Sequence, residues 1–387
     1  MGISLDVSLD EMRRKRGAKW TTYDPDVIPA WVADMDFPLA PPIRDAIDDV
    51  LERQDLGYAG PPALEALPEA FAGRMRERFA WKPDPKGVLP VGDLIQAMIA
   101  AVATFADEDD GVIIQTPIYY PFLQIVGLLG RRVVENPLVV GSRRYELDFD
   151  QLRSAIDERT RMFLFCNPHN PTGRVFERRE LEELAEIALE HELIVVSDEI
   201  HADLAYGGHT HVPFASLGPE IAARTITLTG ASKAFNIAGL KCALIHFGTP
   251  ELESQQSRLF SPFLLGTPNI LGIEATLAAW RDGGEWLDAV VSQLEVNCRR
   301  VDEFLAAHLP AIAHLPAEAS YFAWLDCSAL ELPSRPHEFF LEHARVAFND
   351  GRPFGGSSER FARMNFGTSG AVLDGILERM YAAVDAR

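Results

Sequence analysis

The chain has 387 residues, of which 24% are charged and 47% hydrophobic, as in an average globular protein. Its formal net charge is −21, which repels phosphodiester backbones and anionic lipids and excludes nucleic-acid and membrane binding as expected functions. No apolar run approaches the roughly 18 residues of a membrane helix, and no signal-peptide segment is expected at the N-terminus. The four cysteines form no C-x-x-C pair, which predicts a reducing, cytoplasmic location.

Short apolar runs recur through the middle of the chain and predict strands that are covered on both faces. They are Val112–Gln115, Arg161–Cys166, Leu193–Ser197, Thr225–Thr229 and Ala243–Phe247. Between two of them, Arg178–Glu190 has the three- and four-residue apolar spacing of an amphipathic helix. This strand–helix–strand order indicates an α/β fold with a mostly parallel sheet and helices on both sides.

The pattern changes near Gly283–Gly284. A long amphipathic helix is predicted from Glu285 to about Leu309, followed by strands at Tyr321–Leu325 and Arg363–Phe366 and a closing helix at Ala371–Val384. A chain of this length favours two domains. We therefore expect a large α/β domain at 45–283 and a smaller α+β domain formed by 1–44 and 284–387.

Three polar motifs follow or end predicted strands: NPHNPTG at Asn167–Gly173, SDEIH at Ser197–His201, and SKAFNIAGLK at Ser232–Lys241. Open α/β sheets bind ligands at the carboxyl ends of their strands. There, a lysine can form a Schiff base with an aldehyde cofactor, and a buried aspartate can keep a pyridine nitrogen protonated. An asparagine amide can donate to a phenolate oxygen, and the N-terminus of a helix can hold a phosphate.

The ordered motifs resemble those of the fold-type I enzymes of aminotransferase class I/II, which depend on pyridoxal 5′-phosphate (PLP). More narrowly, the chain resembles the MalY/PatB group of cystathionine β-lyases, or C–S lyases. This narrower resemblance rests on five further motifs between residues 19 and 351: Lys19–Trp20, Trp31–Phe37, Gly57–Tyr58, Pro117–Tyr119 and Ala347–Gly351. The resemblance implies a large domain with a mostly parallel mixed sheet flanked by helices, plus a smaller α+β domain.

The resemblance also implies roles for particular side chains. Lys233 would be the Schiff-base lysine and the catalytic residue, and Asp198 would pair with the pyridine nitrogen. Asn170 would donate to the phenolate oxygen, and Tyr119 would stack on the ring. Arg363 would bind the carboxylate of an amino-acid substrate, because a guanidinium group fits a carboxylate bidentately.

A second set of implied roles concerns the cofactor phosphate. Gly92 and Asp93, which open a helix after Val88–Val91, would offer backbone N–H groups, and Ser232 would add a hydroxyl. Tyr58 would reach the phosphate from a partner subunit, which implies a homodimer with shared active sites.

Three positions depart from the usual pattern of the relatives. His201 stands where aminotransferases often have a tyrosine that contacts the phenolate oxygen. Lys241 replaces a phosphate-binding arginine, and Gly230 replaces a serine. Elsewhere, the pair His209 and His211 lacks thiols or carboxylates at a metal-ligand spacing, so we expect a surface pair and no metal site.

The resemblance to C–S lyases favours α,β-elimination on cystathionine or another cysteine S-conjugate, giving pyruvate, ammonia and a thiol. The core residues would serve a PLP-dependent aminotransferase equally well. A third possibility, of a different class, is a regulator-binding protein with secondary lyase activity, since some members of the subgroup bind transcriptional regulators.

Overall fold

The computed structural model describes residues 3–387. Its strands are β1 Ile28–Pro29, β2 Val88–Val91, β3 Gly111–Ile114, β4 Arg132–Glu135, β5 Val139–Val140, β6 Tyr145–Glu146, β7 Thr160–Cys166, β8 Ile194–Asp198, β9 Thr225–Thr229, β10 Ala243–Phe247, β11 Ala313–His314, β12 Phe322–Asp326, β13 Val346–Ala347, β14 Asn349–Asp350 and β15 Phe361–Asn365.

Helices flank these strands throughout the described chain. They are α1 Leu9–Met12, α2 Ala18–Thr21, α3 Pro41–Glu52, α4 Pro61–Phe79, α5 Leu94–Phe105, α6 Pro121–Leu128, α7 Phe149–Ala155, α8 Arg178–Glu190, α9 Pro219–Ala222, α10 Pro250–Leu259, α11 Pro262–Leu265, α12 Ile270–Asp282, α13 Gly284–His308, α14 Pro336–Phe339 and α15 Gly370–Asp385. Among residues 3–387, no helix combines the length and apolar character that crossing a bilayer requires.

The main sheet has seven strands in the order β2-β10-β9-β8-β7-β3-β4. All neighbouring pairs from β9 to β4 are parallel, whereas β10 is antiparallel to both β9 and β2. The predicted mostly parallel sheet is therefore confirmed, with β10 as the one reversed strand. The five strands predicted in this region lie within one residue of their observed limits.

Side chains point alternately to the two faces along each strand, and this explains why helices cover both faces of the sheet. Met162, Leu164 and Cys166 belong to a core cluster on the side of α5 and α6, whereas Phe163 and Phe165 belong to a second cluster on the side of α8. Successive strand residues point to opposite faces, so a strand that is apolar at nearly every position buries both faces.

The C-terminal region forms a four-stranded antiparallel sheet in the order β11-β12-β15-β14. Helices α13 and α15 contribute to its core, with Leu294, Val301 and Leu373 buried. The change of pattern at Gly283 corresponds to the junction of α12 and α13, where an added Cβ would lie 2.5 Å from the Ala279 carbonyl oxygen. The division into domains at 45–283 and at 1–44 with 284–387 stays a prediction.

Candidate active site

The three motifs meet at one edge of the main sheet. Strands β7, β8 and β9 run in parallel and end at this edge, while the reversed strand β10 begins there. A cavity of about 220 Å³ lies at this edge. Its wall includes most of the residues that the sequence singled out: Gly92, Asp93, Tyr119, Asn170, Asp198, His201, Ser232, Lys233 and Lys241.

Lys233 faces this cavity from the loop after β9. Its Nζ donates to the carbonyl oxygen of Ala33 at 3.4 Å. Burial lowers the pKa of Lys233, the Asp34 carboxylate opposes that shift, and the Arg363 charge adds to it. A lowered pKa raises the neutral fraction of an amine, which is the nucleophilic and basic form.

Asp198 ends β8 with only 6% of its surface exposed. Its Oδ1 accepts from the Ile200 backbone N–H at 3.1 Å. Burial raises the pKa of Asp198 to about 7, although the Ile200 bond and the Lys233 charge act in the opposite direction. This carboxyl group is therefore only partly ionised at neutral pH unless a cation, such as a protonated ring nitrogen, lies against it.

Glu199, the next residue, forms a separate buried network. Its carboxylate accepts from Ser197 Oγ at 2.9 Å and from the Phe214 N–H at 2.9 Å, and it lies 3.0 Å from His211 Nε2. The expectation that His211 belongs to a surface pair is therefore wrong, because its side chain is buried against Glu199. Within residues 3–387, no group of three or more metal-ligating side chains comes together.

Arg363 lies behind the cavity wall on β15 and is 2% exposed. It donates to Asn170 Oδ1 at 2.9 Å, to Asn349 Oδ1 at 2.6 Å and to the Trp31 carbonyl oxygen at 3.2 Å. A guanidinium group has five N–H donors, so two remain, and Arg363 Nε has no partner in the described chain. Burial lowers the pKa of Arg363 to about 10. A buried cation with two open donors suits a carboxylate ligand.

The bond from Arg363 also orients the amide of Asn170. Because a guanidinium group only donates, the amide atom that faces it must be the oxygen. The NH₂ group of Asn170 is therefore the part left to donate elsewhere, and Asn170 lines the cavity. Tyr119 stands beside it, with its backbone N–H donating to the Asn170 carbonyl oxygen at 2.8 Å. Burial raises the pKa of Tyr119 to about 12, so its hydroxyl stays protonated.

The other end of the cavity contains the predicted phosphate residues. Asp93 caps α5, and its carboxylate accepts from the N–H groups of Ile95 and Gln96 and from Lys241 Nζ at 2.6 Å. The expectation that the Gly92 N–H is free for a phosphate needs correction, because that N–H donates to the Gly266 carbonyl oxygen at 2.8 Å. Lys241 lies two residues before the reversed strand β10, which brings its charge to the same edge.

Tyr58 lies outside this cavity. It follows α3 in a loop and is fully exposed, at 102% of its reference surface. A side chain in this position cannot serve its own subunit's cavity, so the role of Tyr58 in a partner's site stays a prediction.

The sequence model of aminotransferase class I and II matches residues 31–380. The chain belongs to this family. Cystathionine beta-lyase PatB of Bacillus subtilis (strain 168) is 36% identical over 361 residues, which are 93% of each chain. Cystathionine beta-lyase of Corynebacterium glutamicum is 33% identical over 375 residues, covering 96% of this chain and 98% of that relative.

The solved structure of the PLP-bound C-S lyase from Staphylococcus hominis is 31% identical, with a TM-score of 0.91 over 97% of this chain and 98% of that one. These matches confirm the resemblance to aminotransferase class I/II and to the C–S lyases, together with the fold that this resemblance implied.

The donors and acceptors of the cavity fit the PLP that the sequence predicted. An amine, a buried carboxyl group and an amide NH₂ face it from Lys233, Asp198 and Asn170. They match an aldehyde carbon, a pyridine nitrogen and a phenolate oxygen, in that order. The amino end of α5 and the Lys241 ammonium group match a phosphate.

Some contacts of this class I and II site were missed by sequence reasoning. Asn349 orients Arg363, and the Ala33 carbonyl oxygen contacts Lys233. Both residues lie in motifs that supported the resemblance, but no role was assigned to either. Ser320, whose hydroxyl lies 3.2 Å from His201 Nδ1, has no sequence motif of its own.

Proposed function

We propose that the chain is a PLP-dependent carbon–sulfur lyase that converts cysteine S-conjugates such as cystathionine to pyruvate, ammonia and a thiol. The observation that carries this proposal is the convergence of Lys233, Asp198 and the Asn170–Arg363 pair at one cavity. The names of the relatives support lyase chemistry, because the two curated proteins compared above are both called cystathionine beta-lyases.

The protein's own groups divide the work along the cavity. The Arg363 guanidinium group, whose Nε donor is open, binds the α-carboxylate of the amino acid and so fixes the position of Cα. The amine of Lys233 is the base that removes the Cα proton, and burial lowers its pKa, which favours the basic form. Bound PLP supplies an electron sink for the charge that develops at Cα. Asp198 holds the ring nitrogen protonated, which requires that Asp198 itself stay ionised.

Elimination and transamination start with the same proton removal and differ in the fate of the electrons. When the substrate has a thiolate leaving group at Cβ, the electrons can expel it. We expect cystathionine to give equal amounts of pyruvate, ammonia and homocysteine without any keto acid. A requirement for 2-oxoglutarate, with the amino group retained on the cofactor in its absence, would identify an aminotransferase instead.

The attachment of the cofactor gives a second measurement. Borohydride treatment of the purified yellow protein should trap the cofactor on Lys233, as identified by peptide mass. Lys233→Ala should remain folded and lose both the covalent label and the turnover. The exposed Lys82 provides a matched control, because Lys82→Ala should change neither. A protein that stays colourless after PLP is added would overturn the proposal.

A homodimer with shared active sites is part of the same proposal. Large apolar side chains are exposed on the chain: Leu56, Tyr58, Phe263 and Leu264 are 62%, 102%, 88% and 66% exposed. A second copy of the chain would cover such side chains and bring Tyr58 to the neighbouring cavity. Mixed Lys233→Ala and Tyr58→Phe chains should then regain activity, because one site of each mixed dimer carries neither change. Strictly additive activity would contradict the shared site.

A cytoplasmic location is also proposed. All four cysteines are buried and free, with Cys166 and Cys242 in the cavity wall. Proteins whose cysteines stay reduced are typical of the cytosol.

A further inference from the structure

His201 faces the cavity with its ring held on one side only. The ring is 3% exposed and stands edge-on to Tyr321 and Phe322, with centroid distances of 5.8 and 6.0 Å. Its Nδ1 lies 3.2 Å from Ser320 Oγ. Its Nε2 has no hydrogen-bond partner within residues 3–387, and His201 belongs to the cavity wall. A ligand in the cavity therefore meets Nε2.

The environment of Ser320 decides which ring nitrogen carries the proton. Ser320 is completely buried, at 0% exposure, and the hydroxyl has no other hydrogen-bond partner in the described chain. A hydroxyl hydrogen that is buried without an acceptor is costly, and His201 Nδ1 is the acceptor within reach. The Ser320 hydroxyl must therefore donate to Nδ1. Burial lowers the pKa of His201 to about 3, so the ring is neutral and its single proton is on Nε2.

The backbone of Ser320 is held in a conformation that serine rarely adopts. Its φ is +71°, in the left-handed region that residues other than glycine rarely adopt. The Ser320 N–H donates to the Leu204 carbonyl oxygen at 3.0 Å, and the Leu204 N–H donates to the His201 carbonyl oxygen at 2.9 Å. The neighbouring Ala319 N–H donates to the Gly173 carbonyl oxygen at 3.0 Å. The first two bonds tie the serine to the turn that carries His201, and the third ties its neighbour to the loop that contains Asn170.

We propose that Ser320 is a positioning residue that fixes His201 as the Nε2–H tautomer, so that His201 presents a neutral hydrogen-bond donor to the ligand in the cavity. The acceptor is the phenolate oxygen of PLP, so this inference rests on the proposed function. Together with the Asn170 NH₂ group, His201 gives that oxygen two neutral donors. The tyrosine that aminotransferases often have at the position of His201 needs no such partner, because its hydroxyl rotates to donate. An imidazole nitrogen donates only in one tautomer.

The test removes the Ser320 hydroxyl in two ways. Ser320→Gly removes it and suits a positive φ, whereas Ser320→Ala removes it and keeps the backbone strain. In the PLP-loaded protein, both variants should shift the cofactor absorption maximum and weaken PLP binding by about tenfold, the value of one net hydrogen bond. In ¹⁵N-histidine spectra, the His201 signals, assigned with His201→Asn, should move from a single tautomer to a mixture.

Two controls separate this role from a general loss of stability. Ser369→Ala removes another buried serine hydroxyl, one that donates to the Val7 carbonyl oxygen at 2.7 Å, and should leave the absorption maximum and the His201 signals unchanged. In a His201→Asn background, Ser320→Gly should have no further effect on PLP affinity, because the serine acts through the histidine.

The outcomes of these measurements are distinct. If Ser320→Gly leaves the cofactor spectrum and the His201 tautomer unchanged, the inference is overturned while the proposed lyase function stands. If Ser320→Ala has an effect and Ser320→Gly has none, the effect comes from the backbone and not from the hydroxyl, and the inference is also overturned. If the unaltered chain binds no PLP, the proposed function itself fails, and the ¹⁵N spectra of the cofactor-free protein still report the tautomer.

Discussion

Replacing Asp198 with asparagine should stabilise the cofactor-free protein at neutral pH. The asparagine can keep the bond from the Ile200 N–H to Oδ1, but it carries no charge that folding would remove from water. Burial raises the pKa of the Asp198 carboxyl from an ordinary 3.8 to about 7. The folded state therefore holds a proton that the unfolded chain releases, and wild-type stability falls as the pH rises from about 4 to about 7.

The magnitude follows from the separation of the two pKa values of Asp198. Each pH unit between them costs the wild type about 1.4 kcal/mol of unfolding free energy. The advantage of Asp198→Asn should be about 2 kcal/mol at pH 5 and should level off near 4 kcal/mol at pH 8. Below pH 4 the difference should vanish, because both folded proteins are then uncharged at this position.

Urea unfolding of the two cofactor-free proteins at several pH values provides the assay. Asp203→Asn serves as a matched control, because that buried carboxylate pairs with Arg74 at 2.7 Å and its loss should destabilise the protein at neutral pH. With PLP bound, the sign for Asp198→Asn should reverse, since the ring nitrogen then stabilises the carboxylate. A pH-independent difference between Asp198→Asn and the wild type would refute this reasoning.

Two further predictions concern the ends of the cavity. Arg363→Lys removes the planar donor set that holds Asn170 and Asn349, so KM for the amino acid should rise by about tenfold to a hundredfold in steady-state assays, the effect of losing a charge-assisted hydrogen bond. An unchanged KM would exclude Arg363 as the carboxylate site. Lys241→Ala removes the ammonium group beside Asp93 and should weaken equilibrium PLP binding by about tenfold, whereas Lys82→Ala should leave PLP binding unchanged. If Lys241→Ala binds PLP as tightly as the unaltered protein, Lys241 does not belong to the phosphate site.

The long strands could be predicted because their residues are apolar at almost every position. In a parallel sheet all such strands end at one edge, so the sequence alone places the motifs containing Asn170 and Asp198 together. The reversal of β10 could not be predicted in the same way, because an apolar run has no information about direction. Two-residue strands such as β1 and β13 also left no periodic signal.

The predicted site was most complete where each side chain acts directly on a ligand. Contacts between side chains from distant segments were missed, since Asn349 reaches Arg363 and Ser320 reaches His201 only after the chain has folded. The surface interpretation of His211 was wrong for the same reason. Its buried partner, Glu199, lies twelve residues earlier and is brought close by the fold.

The cofactor half and the carboxylate half of the cavity differ in the sequence separation of the residues that form them. Asn170, Asp198 and Lys233 follow or end the strands β7, β8 and β9, which are neighbours in one sheet, so pairing of these strands brings them together by closing short loops. The Asn170–Arg363 bond joins residues 193 positions apart, and the bond from Arg363 to Trp31 spans 332 positions. Long loops close late because they lose more chain entropy. During synthesis on the ribosome, the cofactor half of the pocket can therefore form while the carboxylate half waits for the last strands to emerge.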